Sequence, residues 1–162
     1  MLDIMKVDVN ERAKLAREYF ESGYNCAQSV FLAFRDITGL DKQMATTFSA
    51  PFGGGMGRLR EVCGTVSGMS MVAGFLYPNS EPNDMSSKMR TYAAVQDLAE
   101  RFRAENGAIV CRELLGLGRQ KDDPKPSERT AEYYKRRPCA EYVAIAARLV
   151  AEKINAEDSG DE

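Results

Sequence analysis

Four cysteines, at positions 26, 63, 111 and 139, are the chemically distinctive residues of this 162-residue chain, which contains no histidine. Without histidine there is no Ser-His-Asp or Cys-His catalytic arrangement. Zinc, haem and copper sites that need an imidazole ligand are excluded as well. Thiol chemistry remains: nucleophilic attack, disulfide exchange or soft-metal binding. The cysteines lie tens of residues apart, so there is no local CxxC pair or zinc knuckle. They act together only if the fold brings them together.

Each cysteine stands where a helix is expected to begin. Cys26 follows Asn25, a good N-cap residue, and Cys139 follows Pro138, which suits the first helical position. Cys63 falls in the first turn after a glycine-rich segment, and Cys111 comes shortly after the helix-breaking Gly107. All four fall on the apolar face of their helix. A helix N-terminus carries about half a positive charge and unpaired N–H groups, and both favour a thiolate. The expectation is therefore inward-facing thiols of lowered pKa. Four thiolates at one point would suit an iron–sulfur cluster or a zinc ion. Two pairs would suit dithiol–disulfide exchange. Cys26 and Cys63 are the expected reactive pair, because they begin the two most glycine-marked helices. The competing expectation is that buried cysteines are small hydrophobes and nothing more.

The elements that must position these thiols read as helices throughout. Apolar residues recur at helical spacing over 9–21, over 26 to about 38, and in a short helix capped by Asp41 that runs through Phe48. A helix rich in small residues is expected over about 61–77, after the glycine segment 49–60. The longest, about 84–106, has the stripe Met85, Met89, Tyr92, Val95, Ala99 and Phe102. A short helix holds Cys111 and ends at Gly116, the polar stretch 118–127 reads as an exposed loop, and the last helix covers about 138–154. Residues 128–136 fit neither pattern, and no credible strand pair is present. The expected fold is all-α. It is a single-domain bundle of roughly six to eight helices over residues 1–155, with a glycine-rich loop before the central helix. Residues 156–162 form an acidic tail expected to be disordered.

Gly53, Gly54, Gly55 and Gly57 put four glycines within five positions, too many for regular structure. Leading into a helix and followed by Arg58 and Arg60, they can cradle an anion or small molecule on their N–H groups. Neither a Walker loop nor a dinucleotide fingerprint is present, so a tight turn shaping the mouth of the Cys63 site is the favoured expectation. The hexad Cys63-Gly64-Thr65-Val66-Ser67-Gly68 places Gly64 and Gly68 one turn apart on one face. Glycine inside a helix costs about 1 kcal/mol relative to alanine. Close approach of another backbone, or of a ligand, would explain it. Met56, Met69 and Met71 lie near Cys63 and suit Cu(I), though methionine more often fills a core. The pairs Glu18/Glu21, Asp122/Asp123 and Glu152/Glu157 read as solvated surface.

The composition, 44% hydrophobic and 28% charged with a net charge of −2, is ordinary for a globular protein and argues against a nucleic-acid partner. No apolar run is long enough to span a bilayer. Met1 to Val9 lacks the apolar centre of a signal peptide. The expected compartment is the cytoplasm, where thiols are held reduced, so free, redox-active or metal-bound cysteines are expected rather than structural disulfides.

The motifs Asn25-Cys26-Ala27-Gln28-Ser29-Val30, Gly53-Gly54-Gly55-Met56-Gly57 and Cys63-Gly64-Thr65-Val66-Ser67-Gly68, followed by single cysteines at 111 and 139, resemble the C_GCAxxG_C_C family of redox-active proteins. The resemblance covers nearly the whole chain. It implies a small bacterial or archaeal protein often associated with oxidoreductase or transporter genes, hence an electron-transfer or oxidoreductase partner. The family's four cysteines carry over onto Cys26, Cys63, Cys111 and Cys139, and its hexad onto Cys63, Gly64 and Gly68. Thr65 stands where the family usually has alanine, and its hydroxyl can donate to a nearby thiolate. The alternatives are a structural-zinc or partner-binding helical module, or an anion site at the glycine loop; homo-oligomerisation stays open.

Overall fold

The computed structural model describes residues 6–118 and 121–158. Among them the protein is all-α. The helices are α1 (Val9–Glu21), α2 (Cys26–Leu32), α3 (Arg35–Thr38) and α4 (Lys42–Ser49), and a 3-10 turn follows at Ala50–Phe52. Next come the glycine turn α5 (Gly53–Met56), α6 (Gly64–Leu76), α7 (Met85–Asn106), α8 (Cys111–Leu114), α9 (Ala131–Arg136) and α10 (Cys139–Asp158). The first part of the acidic tail continues α10; residues 159–162 lie outside the described residues.

Local chemistry explains most helix starts. Asp8, Asp41, Asp84 and Thr130 each accept a backbone N–H three residues on. Asn25 forms a reciprocal capping box with Gln28 at the head of α2. Gly39 and Gly107 end α3 and α7 in the left-handed conformation, with φ of 71° and 89°.

Three segments depart from expectation. The helix expected over 26–38 breaks at Ala33 and Phe34, where Phe34 adopts φ −122° and ψ 29°. Arg12 Nη1 donates to the Ala33 carbonyl at 2.8 Å, and its guanidinium lies 5.2 Å from the Phe34 ring. A long-range partner thus supports the break. Second, α6 begins at Gly64 rather than Glu61, because residues 61–63 pair with 109–111. Cys63 N–H donates to Ile109 O at 2.8 Å and Cys111 N–H to Glu61 O at 2.6 Å, flanking an isolated antiparallel bridge between Val62 and Val110. Third, Met85, Met89 and Tyr92 are exposed, at 60%, 68% and 61%. The buried residues of α7 are Ala94, Leu98 and Phe102. Its contacts with α10, through Asp97 to Lys153 and Phe102 to Tyr142, fall in its second half.

The core lies where α1 runs along α10, α2 packs on α6, and α6 packs on α7. Phe20, Phe31, Phe34, Met69, Leu98 and Phe102 are among its large side chains, each at most 2% exposed. No helix among the described residues is long and apolar enough to cross a membrane.

The packing of α2 on α6 depends on Gly68. A Cβ there would stand 2.9 Å from Val30 Cβ and 3.0 Å from the Ala27 carbonyl, whereas one at Gly74 meets nothing within 4 Å. Gly68→Ala is therefore expected to cost about 1–3 kcal/mol through overpacking. Gly74→Ala is expected to gain up to about 1 kcal/mol from helix propensity. Urea unfolding midpoints of the two variants test this: equal shifts would mean that α2 and α6 are not in close contact.

Candidate functional site

All four cysteines sit at the starts of helices. Cys26 is the first residue of α2, Cys111 of α8 and Cys139 of α10, and Cys63 is the N-cap of α6. All four line one cavity of about 360 Å³. None forms a disulfide; Cys63 and Cys111 are 6% exposed, while Cys26 and Cys139 are partly exposed.

Two local devices bring the thiols together. The paired segments 60–63 and 109–112 bring Cys63 and Cys111 to the same cavity, each just after its bridge residue. The close approach of α6 to α2 brings Cys26 in: a Cβ on Gly64 would lie 2.4 Å from Cys26 Sγ. Cys63 Sγ and Thr65 Oγ1 are 2.9 Å apart and share a hydrogen bond in which either is the donor.

The glycine turn serves Cys26 and Cys111. Gly53 packs on the Asn25 side chain, where a Cβ would be 2.4 Å from Nδ2. Gly55, at φ 70°, backs onto Cys111, where a Cβ would be 2.7 Å from Cys111 Cβ. Left-handed backbone continues through three non-glycine residues, Met56, Arg58 and Arg60, at φ of 66°, 65° and 60°. Arg60 is buried, with a side chain 4% exposed. Its Nη1 donates to Cys111 Sγ at 3.5 Å and its Nε to Asp122 Oδ2 at 2.8 Å. Nη2 is 2.7 Å from the same carboxylate oxygen, an ion-pair contact not aligned as a hydrogen bond. Arg58 Nε donates to Asp123 O at 2.8 Å. The two arginines thereby draw the polar segment expected to be an exposed loop across the glycine turn, where Pro124, Pro126 and Ser127 line the cavity.

Burial overrides the expected lowering of thiol pKa. Desolvation raises Cys26, against the backbone amide of Gly54, which pulls the other way. Cys63 is raised by burial first and then by the like charge at Cys26, with the Thr65 hydroxyl opposing. Cys139 is pushed up to about 12, chiefly by burial, although Arg137 and Arg129 act against it. These three thiols are neutral at pH 7. Cys26 and Cys139 keep their partial exposure, yet protein atoms crowd them closely enough for burial to dominate.

Not every expected residue faces the cavity. Gly53, Gly54, Gly57, Arg58 and Thr65 line it. Gly55, Gly64 and Gly68 instead allow close packing, against Cys111, Cys26 and Val30 respectively. Met69 is fully buried core and Met56 is 48% exposed. Among the described residues no three Cys, Asp or Glu side chains are placed to hold a metal ion together. Cavity residues that the sequence did not single out are Arg129, Tyr133, Arg137 and Tyr142, with Asp122 behind Arg60. Arg129, Tyr133 and Arg137 recur at four-residue steps leading to Cys139, a helical spacing that was available as a signal.

An all-α protein with four free thiols on one cavity is the class that fold and site define. The family model described as "Putative redox-active protein (C_GCAxxG_C_C)" matches residues 24–153, which include all four cysteines. The chain belongs to that C_GCAxxG_C_C family. No curated protein and no solved structure matches it.

The raised Cys139 pKa has a consequence for stability. Unfolding returns this thiol from about 12 to its ordinary 9.0, so above the latter value the unfolded chain holds fewer protons than the folded one. Its contribution to stability is present below pH 9.0 and is lost as pH rises toward about 12. The urea midpoint of the reduced protein should fall between about pH 8.5 and about pH 10.5, and Cys139→Ser should make the fall shallower. Identical slopes for the two proteins would contradict the burial of this thiol.

Proposed function

We propose that the cavity is a thiol–disulfide exchange site in which Cys26 and Cys63 form a reversible disulfide. The observation that carries this is the position of Cys26 Sγ against Gly64, directly beside Cys63, in a cavity that all four thiols share. Two thiols give up two electrons and two protons as the bond forms. Closing the pair also removes two desolvated acids, which burial already keeps protonated.

The same burial favours a reducing role. A thiol of lowered pKa stabilises the dithiol form and makes its disulfide oxidising, as in DsbA. Raised pKa values withhold that stabilisation, so the pair lacks the feature that makes DsbA an oxidant. The reduced pair is then a donor, which an external oxidoreductase partner in the cytoplasm would restore. A midpoint nearer thioredoxin's ~−270 mV than DsbA's ~−120 mV is expected.

The test is peptide mapping of protein purified without oxygen, before and after mild oxidation with diamide. The expected result is loss of two titratable thiols and a linked Cys26–Cys63 peptide. The link should be absent from Cys26→Ser and Cys63→Ser and retained in Cys139→Ser. Tightly bound iron or zinc shielding all four thiols would replace the exchange reading with a metal site. Four thiols that stay free after oxidation would leave them as core residues.

A further inference from the structure

The cavity wall is strongly one-signed. Arg58, Arg60, Arg129 and Arg137 line it, and no Asp, Glu or Lys among the described residues does. Asp122 pairs with Arg60 at 2.7 Å and lies 3.7 Å from Arg58, offsetting one of the four charges from behind. The whole chain has a net charge of −2, so this positive concentration is local.

The four guanidiniums are not equally available. Arg129 is committed to the carbonyls of Phe20 and Tyr24, each at 2.9 Å. Arg58 and Arg60 hold the segment across the glycine turn. The Arg137 side chain donates no hydrogen bond and forms no ion pair among the described residues; it stacks 5.6 Å from the Tyr133 ring centre, beside Cys139. It is the least engaged of the four guanidiniums, felt by Asp122 only through space. Tyr142, Leu114 and Leu115 supply apolar wall. A volume of about 360 Å³ falls in the range of small-molecule sites.

We infer that the cavity admits a low-molecular-weight disulfide bearing negative charge, such as one with carboxylate arms. This rests on the exchange reading above. Cys26, the more exposed member of the pair, attacks one sulfur of R–S–S–R as its thiolate; the S–S bond breaks and RS⁻ leaves, taking up the proton that Cys26 gave up. Cys63 then attacks the Cys26 sulfur of the mixed disulfide, forming the Cys26–Cys63 bond, and the second RS⁻ takes the Cys63 proton. The protein loses two electrons and the ligand gains them.

The experiment compares three small disulfides as oxidants of the fully reduced protein: dithiodiglycolate, which is dianionic, neutral 2-hydroxyethyl disulfide, and dicationic cystamine. Rates of Cys26–Cys63 formation are read by mass spectrometry. Each is divided by the rate of the same disulfide with 2-mercaptoethanol, which removes intrinsic leaving-group differences. The normalised rate should be at least about tenfold higher for the anion than for the cation, and high salt should shrink the ratio. Arg137→Gln should reduce it with the unfolding midpoint unchanged. Equal normalised rates, or faster reaction with cystamine, would overturn the charge assignment and leave exchange intact. If no disulfide oxidises the pair, the exchange reading falls and this inference falls with it.

Discussion

The close approach of α6 to α2 is the constraint on which the rest depends. Gly64 and Gly68 present bare backbone to Cys26 Sγ, Val30 and the Ala27 carbonyl, at separations that leave no room for a Cβ. Gly68, inside α6, costs about 1 kcal/mol in helix propensity relative to alanine, and Gly64, at the first helical position, costs less. Burial offsets this, since Val30, Phe31, Val66 and Met69 are all at most 3% exposed in the seam those glycines permit. The same contact shapes the cavity, because it carries the Cys26 sulfur to the residue beside Cys63. A core feature and a site feature are here one feature.

The second constraint is the left-handed run through Met56, Arg58 and Arg60. Each non-glycine residue in that conformation costs roughly 1–2 kcal/mol. The guanidiniums of Arg58 and Arg60 reach the 122–127 segment and Cys111, so the strained backbone is held by contacts far along the chain. Strain of this kind persists where the surroundings over-determine it, and here it borders the cavity. Asp122 is the counterweight: its hydrogen bond from Arg60 keeps the carboxyl below its usual range, so the pair stays ionised at neutral pH.

Much of this was legible in the sequence. The all-α class, the helix starts at Cys26, Cys111 and Cys139, and the caps at Asn25 and Asp41 follow from local rules that act over three or four residues. What was not legible acts over long distances. The bridge from Val62 to Val110 shortens α6 and brings Cys63 and Cys111 to one cavity, and no pattern within either segment announces it. The stripe Met85–Met89–Tyr92 has helical spacing, but spacing cannot say whether a neighbour is there to cover it. Asp122 is solvated, as the sequence suggests, but its pairing with Arg60, a residue distant in sequence, is not legible locally. Thiol acidity went the wrong way for a reason of magnitude. A helix N-terminus contributes about 0.3–1 kcal/mol, while one pKa unit is about 1.4 kcal/mol and burial shifts a group by up to ~3–5 units.

Burial and charge then set two separate properties of the cavity. Burial keeps the Cys26, Cys63 and Cys139 thiols protonated. The guanidiniums are too engaged elsewhere to reverse that: Arg60 and Arg58 face Asp122, and Arg129 caps two carbonyls. Their field still reaches the cavity, because ion-pairing and carbonyl contacts dilute a positive charge without removing it, and Arg137 adds one that nothing opposes by direct contact. A wall of this kind does little for its own thiols at rest and more for a negatively charged molecule that arrives. On the exchange reading, charge and burial act through different residues, Arg137 for the first and the α2–α6 seam for the second.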